Sequence, residues 1–311
     1  MSRDTHTMQD VVSTDWQPNR ILRNSIAAVK PYLFVAPAMA ILLSLIIYPL
    51  IFSFAKSLTD FNLGMPGEMF IGLANYVEAL INETFRQSLG FSLLYSVFAT
   101  TVEFVFGFGT ALLLQREFAA KRVITVLLIL PLMVTPVVVG IMWLLMFQPD
   151  FSVINGLLSL LGVKGPIWLQ HKWTARIAVI IADIWQWTPF FTLVLLGGLL
   201  SVPVDVVEAA KVDGASSTQI LRHVKIPILM PLILVVLLIR LIDSFKTFDS
   251  IFIMTNGGPG NATEVLSLHI YRTGLPFMNV GYAAAMSYLF LIIMIVGTTI
   301  LIRRLRKIQE T

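Results

Sequence analysis

The chain has no cysteine among its 311 residues, so disulfides, zinc–thiolate sites and cysteine nucleophiles are excluded. Charged residues are scarce too: they make up 13% of the chain, whereas soluble domains carry about a quarter. A soluble protein of this length would need more polar residues to cover its core. These shortages, together with a hydrophobic content of 57%, point to a membrane protein.

The sequence also lacks the patterns that carry enzymatic chemistry. No phosphate-binding loop of the form GxxxxGKS or GxxxxGKT is present, so we expect no ATP site of that kind on this chain. Its four histidines lie at spacings unlike a metal site, and no serine, histidine and aspartate arrangement suggests a nucleophile. We therefore expect no catalytic residue, no metal and no cofactor on this chain. The histidines are His6, His171, His223 and His269.

Six apolar runs are long enough to cross about 30 Å of hydrocarbon, which takes about 20 helical residues. Their length and periodicity favour helices over the short alternating strands of a membrane barrel. The sequence thus predicts an all-α membrane protein with six transmembrane helices. The predicted spans are residues 32–56, 88–114, 123–147, 177–200, 227–250 and 281–302.

The distribution of Lys and Arg predicts the topology. Residues 1–31, the links after the second and fourth spans, and the tail 303–311 hold most of the 22 basic residues. Under the positive-inside rule these segments are cytoplasmic, and both termini lie on that side. The net charge of +4 then reflects membrane topology and lipid contact, and we expect no nucleic-acid partner. We see no cleavable signal peptide, and the predicted domain of six spans covers 32–302.

The link between spans four and five, residues 201–226, is the densest polar stretch between the two terminal segments of the chain. VDVVEAAKV predicts a short amphipathic helix, Asp213-Gly214 a stop, and Ser216 the cap of a second helix running into Pro227. On physical grounds alone this segment is either a loop on the lipid headgroups or a surface for another protein. The acidic Glu208 and Asp213 argue against anionic lipid.

That segment resembles the EAA signature of permease subunits in bacterial ABC importers. Glu208, Ala209, Ala210 and Gly214 match the signature, and VKIP at 224–227 lies at its end. The resemblance implies that the ATPase-docking residues are Glu208, Ala209, Ala210, Asp213, Gly214 and Ala215. The similarity extends over about residues 31–302, through FIGLANY (70–76), INGLLSLLG (154–162), FDSIFIMTNGGPGNAT (248–263) and GYAAA (281–285). These stretches resemble the carbohydrate branch of the binding-protein-dependent transport family, in particular chains similar to the larger maltose permease subunit.

The resemblance implies a function and a set of partners. It implies a multi-pass permease of the bacterial inner membrane that moves a sugar or related polyol-like solute by ATP-driven alternating access. The 201–226 segment would be a coupling helix that docks on an ATPase. The implied partners are a second homologous permease chain forming a heterodimer, two ATPase subunits that bind ATP and Mg, and an extracytoplasmic solute-binding protein.

Charged residues inside the predicted spans need partners, because an unpaired charge in hydrocarbon is costly. In span five, Asp243 lies three residues from both Arg240 and Lys246, a spacing that predicts pairing along one helix. Such charges either fix helix packing or line a substrate path, and the nearby tryptophans either stack on sugars or form an interfacial belt. The candidates are Glu103, Asp183, Trp185, Trp187, Arg240, Asp243 and Lys246.

Two other functions remain open at this level. A gradient-driven secondary transporter would use the intramembrane carboxylates and need no ATPase. An ABC permease for a non-carbohydrate solute would share the EAA stretch, because that stretch does not report the cargo.

Overall fold

The computed structural model describes residues 19–149 and 152–309. Within these ranges the chain is helical apart from its links, which include one bridged residue pair, Thr59 and Phe70. The prediction of an all-α membrane protein is confirmed. In chain order the helices are α1 (Asn19–Ser57), α2 (Ala74–Ile81), α3 (Glu83–Leu114), α4 (Lys121–Ile129), α5 (Pro136–Phe147), α6 (Val153–Leu160), α7 (Lys172–Leu200), α8 (Val204–Val212), α9 (Ser217–Ile220), α10 (Ile226–Phe245), α11 (Asp249–Thr255), α12 (Leu266–Gly274) and α13 (Val280–Gln309).

Among the described residues, five stretches of helix are long and apolar enough to cross a membrane, and a bent pair makes up to six. They coincide with the predicted spans, although several ends differ. The stretches are Val35–Ser57, Glu83–Leu114, Lys172–Leu200, Ser217–Phe245 and Val280–Ile300, and the bent pair is Lys121–Met133 with Pro136–Phe147.

The third predicted span is broken rather than continuous. Its two halves meet at an angle of 103°. A short 3-10 helix at Leu130–Met133 holds Pro131, and Thr135 is extended before Pro136 opens α5. Proline lacks the N–H that a helix needs and disfavours helical geometry in the residue before it, so two prolines five residues apart produce a sharp turn here. The span predicted at 123–147 is thus present as a bent pair of helices rather than as one continuous helix.

Helix extends into both terminal segments. The N-terminal segment was set at 1–31, but α1 begins at Asn19, and residues 1–18 lie outside the described part. The tail 303–311 continues α13 as far as Gln309, and residues 310–311 lie outside the described part.

The chain divides into two compact units at Ser53 and Phe54, and the packing described here is that within the second unit. Its centre is the contact between α3 and α7. Gly107 of α3 makes this contact close, since an added Cβ there would lie 2.3 Å from Cβ of Phe191 and 3.1 Å from the carbonyl oxygen of Thr188. Helices in membranes pack through such small residues. Helix α10 also packs on both α3 and α7, and the three helices position the site.

Candidate functional site

Three charged side chains meet where α3, α7 and α10 pack together. Arg240 donates from Nε to Oε2 of Glu103 at 2.8 Å and from Nη2 to Oε1 at 2.9 Å. Its Nη2 also donates to Oδ2 of Asp183 at 2.5 Å. All three side chains are at least 97% buried. This charged triad joins three spans, one residue from each, and the forked guanidinium suits the two-pronged contact with Glu103.

The predicted pairing along span five holds for Arg240 and Asp243, but within the described residues it does not extend to Lys246. Helix α10 ends at Phe245, Lys246 caps it, and α11 begins at Asp249, so Lys246 and Asp249 do not continue the helical face of Arg240. Asp243 lies 3.6 Å from Nη1 of Arg240, a longer contact than those to the other helices. Within the described residues Lys246 makes no ion pair. The closest partners of Arg240 lie on other helices because its guanidinium is buried against α3 and α7, whose carboxylates replace the water that the guanidinium loses.

The tryptophans of α7 occupy different surroundings. Trp187 stacks on the triad, because the guanidinium carbon of Arg240 lies 4.6 Å from its ring centroid. Trp185 instead packs edge-to-face on Trp143 of α5, with ring centroids 5.9 Å apart. The structure thus places Trp187, and not Trp185, beside the charged residues.

A polar cavity of about 220 Å³ lies next to the triad, where α10 ends. Among the predicted residues it is lined by Asp183, Trp187, Asp243 and Lys246, while Glu103 and Arg240 lie behind its wall. Sequence reasoning missed most of the remaining lining. These residues are Pro136, Gln186, Thr247, Phe248, Asp249 and Ser250.

Gln186 connects this cavity to the broken span. Its side-chain Nε2 donates to the backbone oxygen of Val134 at 3.0 Å. Val134 lies between the 3-10 turn and α5, where the backbone has left the helix. A carbonyl freed inside a membrane needs such a partner. The bend and the cavity are therefore parts of one structure.

The 201–226 segment forms a helix, a turn and a second helix, as the sequence predicts. Helix α8 ends at a turn in which Gly214 has φ +81°, a conformation that glycine adopts without strain. Ser216 then caps α9: its backbone N–H donates to Oε1 of Gln219 at 2.7 Å, and its hydroxyl accepts from the backbone of Gln219. A π-helical turn, Leu221–Lys225, joins α9 to α10 without a break.

The residues of the EAA stretch lie at the surface of this segment. Glu208, Ala209, Asp213 and Gly214 are exposed, and Ala210 and Ala215 are half-buried. Three apolar side chains of α8 are exposed as well, with Val204 at 66%, Val206 at 43% and Val212 at 88%. A short helix that exposes valines beside charged residues presents a mixed surface of the kind found at protein interfaces.

One polar contact, which the sequence did not predict, ties the segment to the bundle. Lys225, in the π-helical turn, donates from Nζ to Oε1 of Gln115 at 2.9 Å. Gln115 follows the last residue of α3, and its Nε2 donates to the backbone oxygen of Leu199 at 3.4 Å. These bonds link the 201–226 segment to the ends of α3 and α7.

No group of three histidine, aspartate or glutamate side chains is placed to hold a metal in the part of the chain that the structure describes. His269, in α12, pairs with Glu264 at 2.7 Å, just before the start of that helix. His6 lies outside the described residues.

Comparison with known proteins assigns the chain to a family. The family model of the binding-protein-dependent transport system inner membrane component matches residues 103–310. The chain belongs to this family. The resemblance to ABC permeases inferred from the EAA stretch is thereby confirmed, and the protein is a multi-pass membrane component.

Curated relatives and solved structures agree with this assignment. A probable ABC transporter permease protein of Sinorhizobium fredii is 40% identical over 274 residues, 88% of each chain. The trehalose/maltose transport system permease protein of Thermococcus litoralis is 33% identical over 275 residues, 88% of this chain and 92% of the relative. The fold matches a chain of a bacterial ABC transporter involved in the import of alginate, with a TM-score of 0.80 at 22% identity, covering 93% of this chain and 99% of that chain.

Proposed function

We propose that this chain is the permease subunit of an ABC importer for a sugar or related polyol-like solute, working by ATP-driven alternating access. The observation that carries the proposal is the exposed helix α8, whose valines and EAA residues face outward at the end of two membrane spans. The relatives support the cargo class, because several of them carry the names of sugar transport systems.

The proposed assembly contains four further subunits. The 201–226 segment docks on one of two ATPase subunits, which bind ATP and Mg, and a second homologous permease chain docks on the other. A solute-binding protein delivers the cargo from outside, as in the alginate importer solved with its substrate-bound periplasmic protein. Both termini and the 201–226 segment then lie in the cytoplasm of a bacterium, in agreement with the positive-inside rule.

The proposed coupling follows from the connections of the segment. Closure of the ATPase subunits moves α8, and α8 is joined through a short turn and α9 to α10, which carries Arg240. Lys225 and Gln115 pass the same movement to α3, which carries Glu103. The polar cavity, with Asp183, Trp187, Asp243 and Lys246, forms part of the cargo path. Its volume of about 220 Å³ is below the roughly 300–1,000 Å³ of ordinary ligand pockets, so the second permease chain completes it.

Two substitutions in the 201–226 segment test this proposal. Glu208→Lys reverses a charge on the exposed face of α8, and Gly214→Pro imposes φ near −65° where the turn needs +81°. We expect both variants to insert normally, while uptake per ATP hydrolysed in proteoliposomes falls at least tenfold. Gly214→Asn is the matched control, since asparagine tolerates this conformation and keeps the turn.

Unchanged uptake and unchanged solute-stimulated ATP hydrolysis in both variants would contradict the coupling role. Uptake driven by a proton or sodium gradient without ATP would instead favour a secondary transporter.

A further inference from the structure

The polar cavity carries an excess of negative charge. Its lining contains three aspartates, Asp183, Asp243 and Asp249, against a single lysine, Lys246. Behind the wall, Arg240 offsets Asp183, and Glu103 faces the same guanidinium. Asp243, Asp249 and Lys246 then leave at least one net negative charge in the space open to a solute.

The two outer aspartates are available to a ligand. Asp249 is exposed and makes no ion pair within the described residues, and the Asp243 side chain is 46% exposed. The contact of Asp243 with Arg240 measures 3.6 Å, beyond hydrogen-bond length. Nη1 of Arg240, although buried, has no hydrogen-bond partner among the described residues. The polar atoms beside the cavity are thus not fully satisfied within this chain.

The neighbouring groups suit a hydroxylated solute. Thr247, Ser250 and Gln186 supply hydroxyl and amide groups, and Trp187 and Phe248 supply aromatic surface. An ammonium group on such a solute would meet Asp243 or Asp249, while a carboxylate would meet the like charges of these two aspartates against the single ammonium of Lys246. In a partly dry cavity the repulsion between like charges is stronger than in water.

We propose that this cavity selects its cargo by charge: it favours hydroxylated solutes that bear a protonated amine and excludes acidic sugars. The inference deepens the proposed function, on which it rests, by naming the charge class of the cargo. It sets this chain apart from the solved importer of similar fold, whose described cargo is the acidic polysaccharide alginate.

The absence of cysteine from the chain provides a direct test. A single cysteine is introduced as Thr247→Cys, and in a second variant as Phe248→Cys, in the complete importer purified in detergent. Each thiol is reacted at low salt with two methanethiosulfonates of similar size, one with a trimethylammonium group and one with a sulfonate group. The ratio of the two rate constants is divided by the ratio for free 2-mercaptoethanol, which removes the intrinsic reactivity of the reagents.

One net charge about 4 Å from the charged group of the bound reagent changes each rate roughly fivefold even at the dielectric constant of water, in opposite directions for cation and anion. We therefore expect a normalised ratio of about 25 in favour of the cationic reagent. Asp243→Asn and Asp249→Asn, each added to the cysteine variant, should lower the ratio. Lys246→Gln should raise it, which makes it the matched control.

A normalised ratio at or below one, or a ratio that the two asparagine variants leave unchanged, would overturn the proposal. Failure of both thiols to react would overturn it too, because no solute would then reach the cavity. The labelling does not depend on transport. ATP-driven uptake measured with the same preparation therefore shows separately whether the proposed function holds.

Discussion

Removing Arg240 should destabilise the protein more than any other single change in the bundle. Arg240→Met keeps a long unbranched side chain but removes the guanidinium, and with it three hydrogen bonds, at 2.8, 2.9 and 2.5 Å, to two carboxylates. Glu103 and Asp183 are 0% and 3% exposed, so water cannot replace the guanidinium. Two acidic groups then face each other without a cation.

The magnitude follows from this geometry. Breaking a buried ion pair by removing one partner costs about 3–5 kcal/mol. Each 1.4 kcal/mol changes an equilibrium tenfold, so the ratio of unfolded to folded protein should rise by roughly two to three and a half orders of magnitude. Because folded proteins are stable by only about 5–15 kcal/mol, most of this permease should be lost from the membrane or unfold at a markedly lower temperature.

The assay compares the single variant with a triple variant, Arg240→Met with Glu103→Gln and Asp183→Asn. Thermal unfolding is followed by the monodisperse fraction that survives heating in detergent. The triple variant removes all three buried charges of the triad and should recover much of the lost stability. If Arg240→Met is as stable as the parent chain, or if the triple variant is no more stable than the single, the triad does not hold the three spans together.

Two further predictions concern helix contacts. Gly107→Ala should cost about 1–3 kcal/mol of stability, the usual cost of overpacking, because the new Cβ would lie 2.3 Å from Cβ of Phe191. Gly109→Ala is the control, since open space surrounds that position, and it should not destabilise the protein in the same heating assay. Equal effects of the two alanines would show that α3 and α7 are not closely packed at Gly107. Gln115→Leu removes the acceptor of the Lys225 hydrogen bond and should lower uptake per ATP hydrolysed with little change in protein yield. Gln87→Leu is the control: it loses only a bond to Glu83 on the same helix and should not change uptake per ATP hydrolysed. Unchanged coupling in the Gln115 variant would separate the 201–226 segment from α3.

Much of the membrane architecture follows from short-range rules. Runs of about 20 apolar residues must be helical in lipid, so α3, α7, α10 and α13 were predicted close to their observed positions. The turn at Gly214 and the cap at Ser216 were also predicted, because each depends on neighbours within a few residues.

The features that were not predicted depend on distant residues. Arg240 was expected to pair with Asp243, three positions away, but its close partners lie 57 and 137 positions away on other helices. Helix α10 ends at Phe245 without a glycine or proline that would predict a helix end there. The sequence therefore predicted a longer span, and most of the cavity residues that follow Phe245 were missed. Prolines 131 and 136 are visible in the sequence, but the 103° bend also involves a bond from Gln186 to Val134, 52 positions away. Burial, rather than local propensity, decides such contacts.

The most direct test of the central claim is to identify the proteins that this chain binds in its host. The tagged chain is isolated from mildly solubilised membranes, and the co-purifying proteins are identified by mass spectrometry, with Glu208→Lys as the control. The account predicts an ATPase and a second permease chain with the parent protein, and loss of the ATPase with the variant. Recovery of this chain alone or as a homo-oligomer under several detergents would contradict the account and favour a gradient-driven transporter.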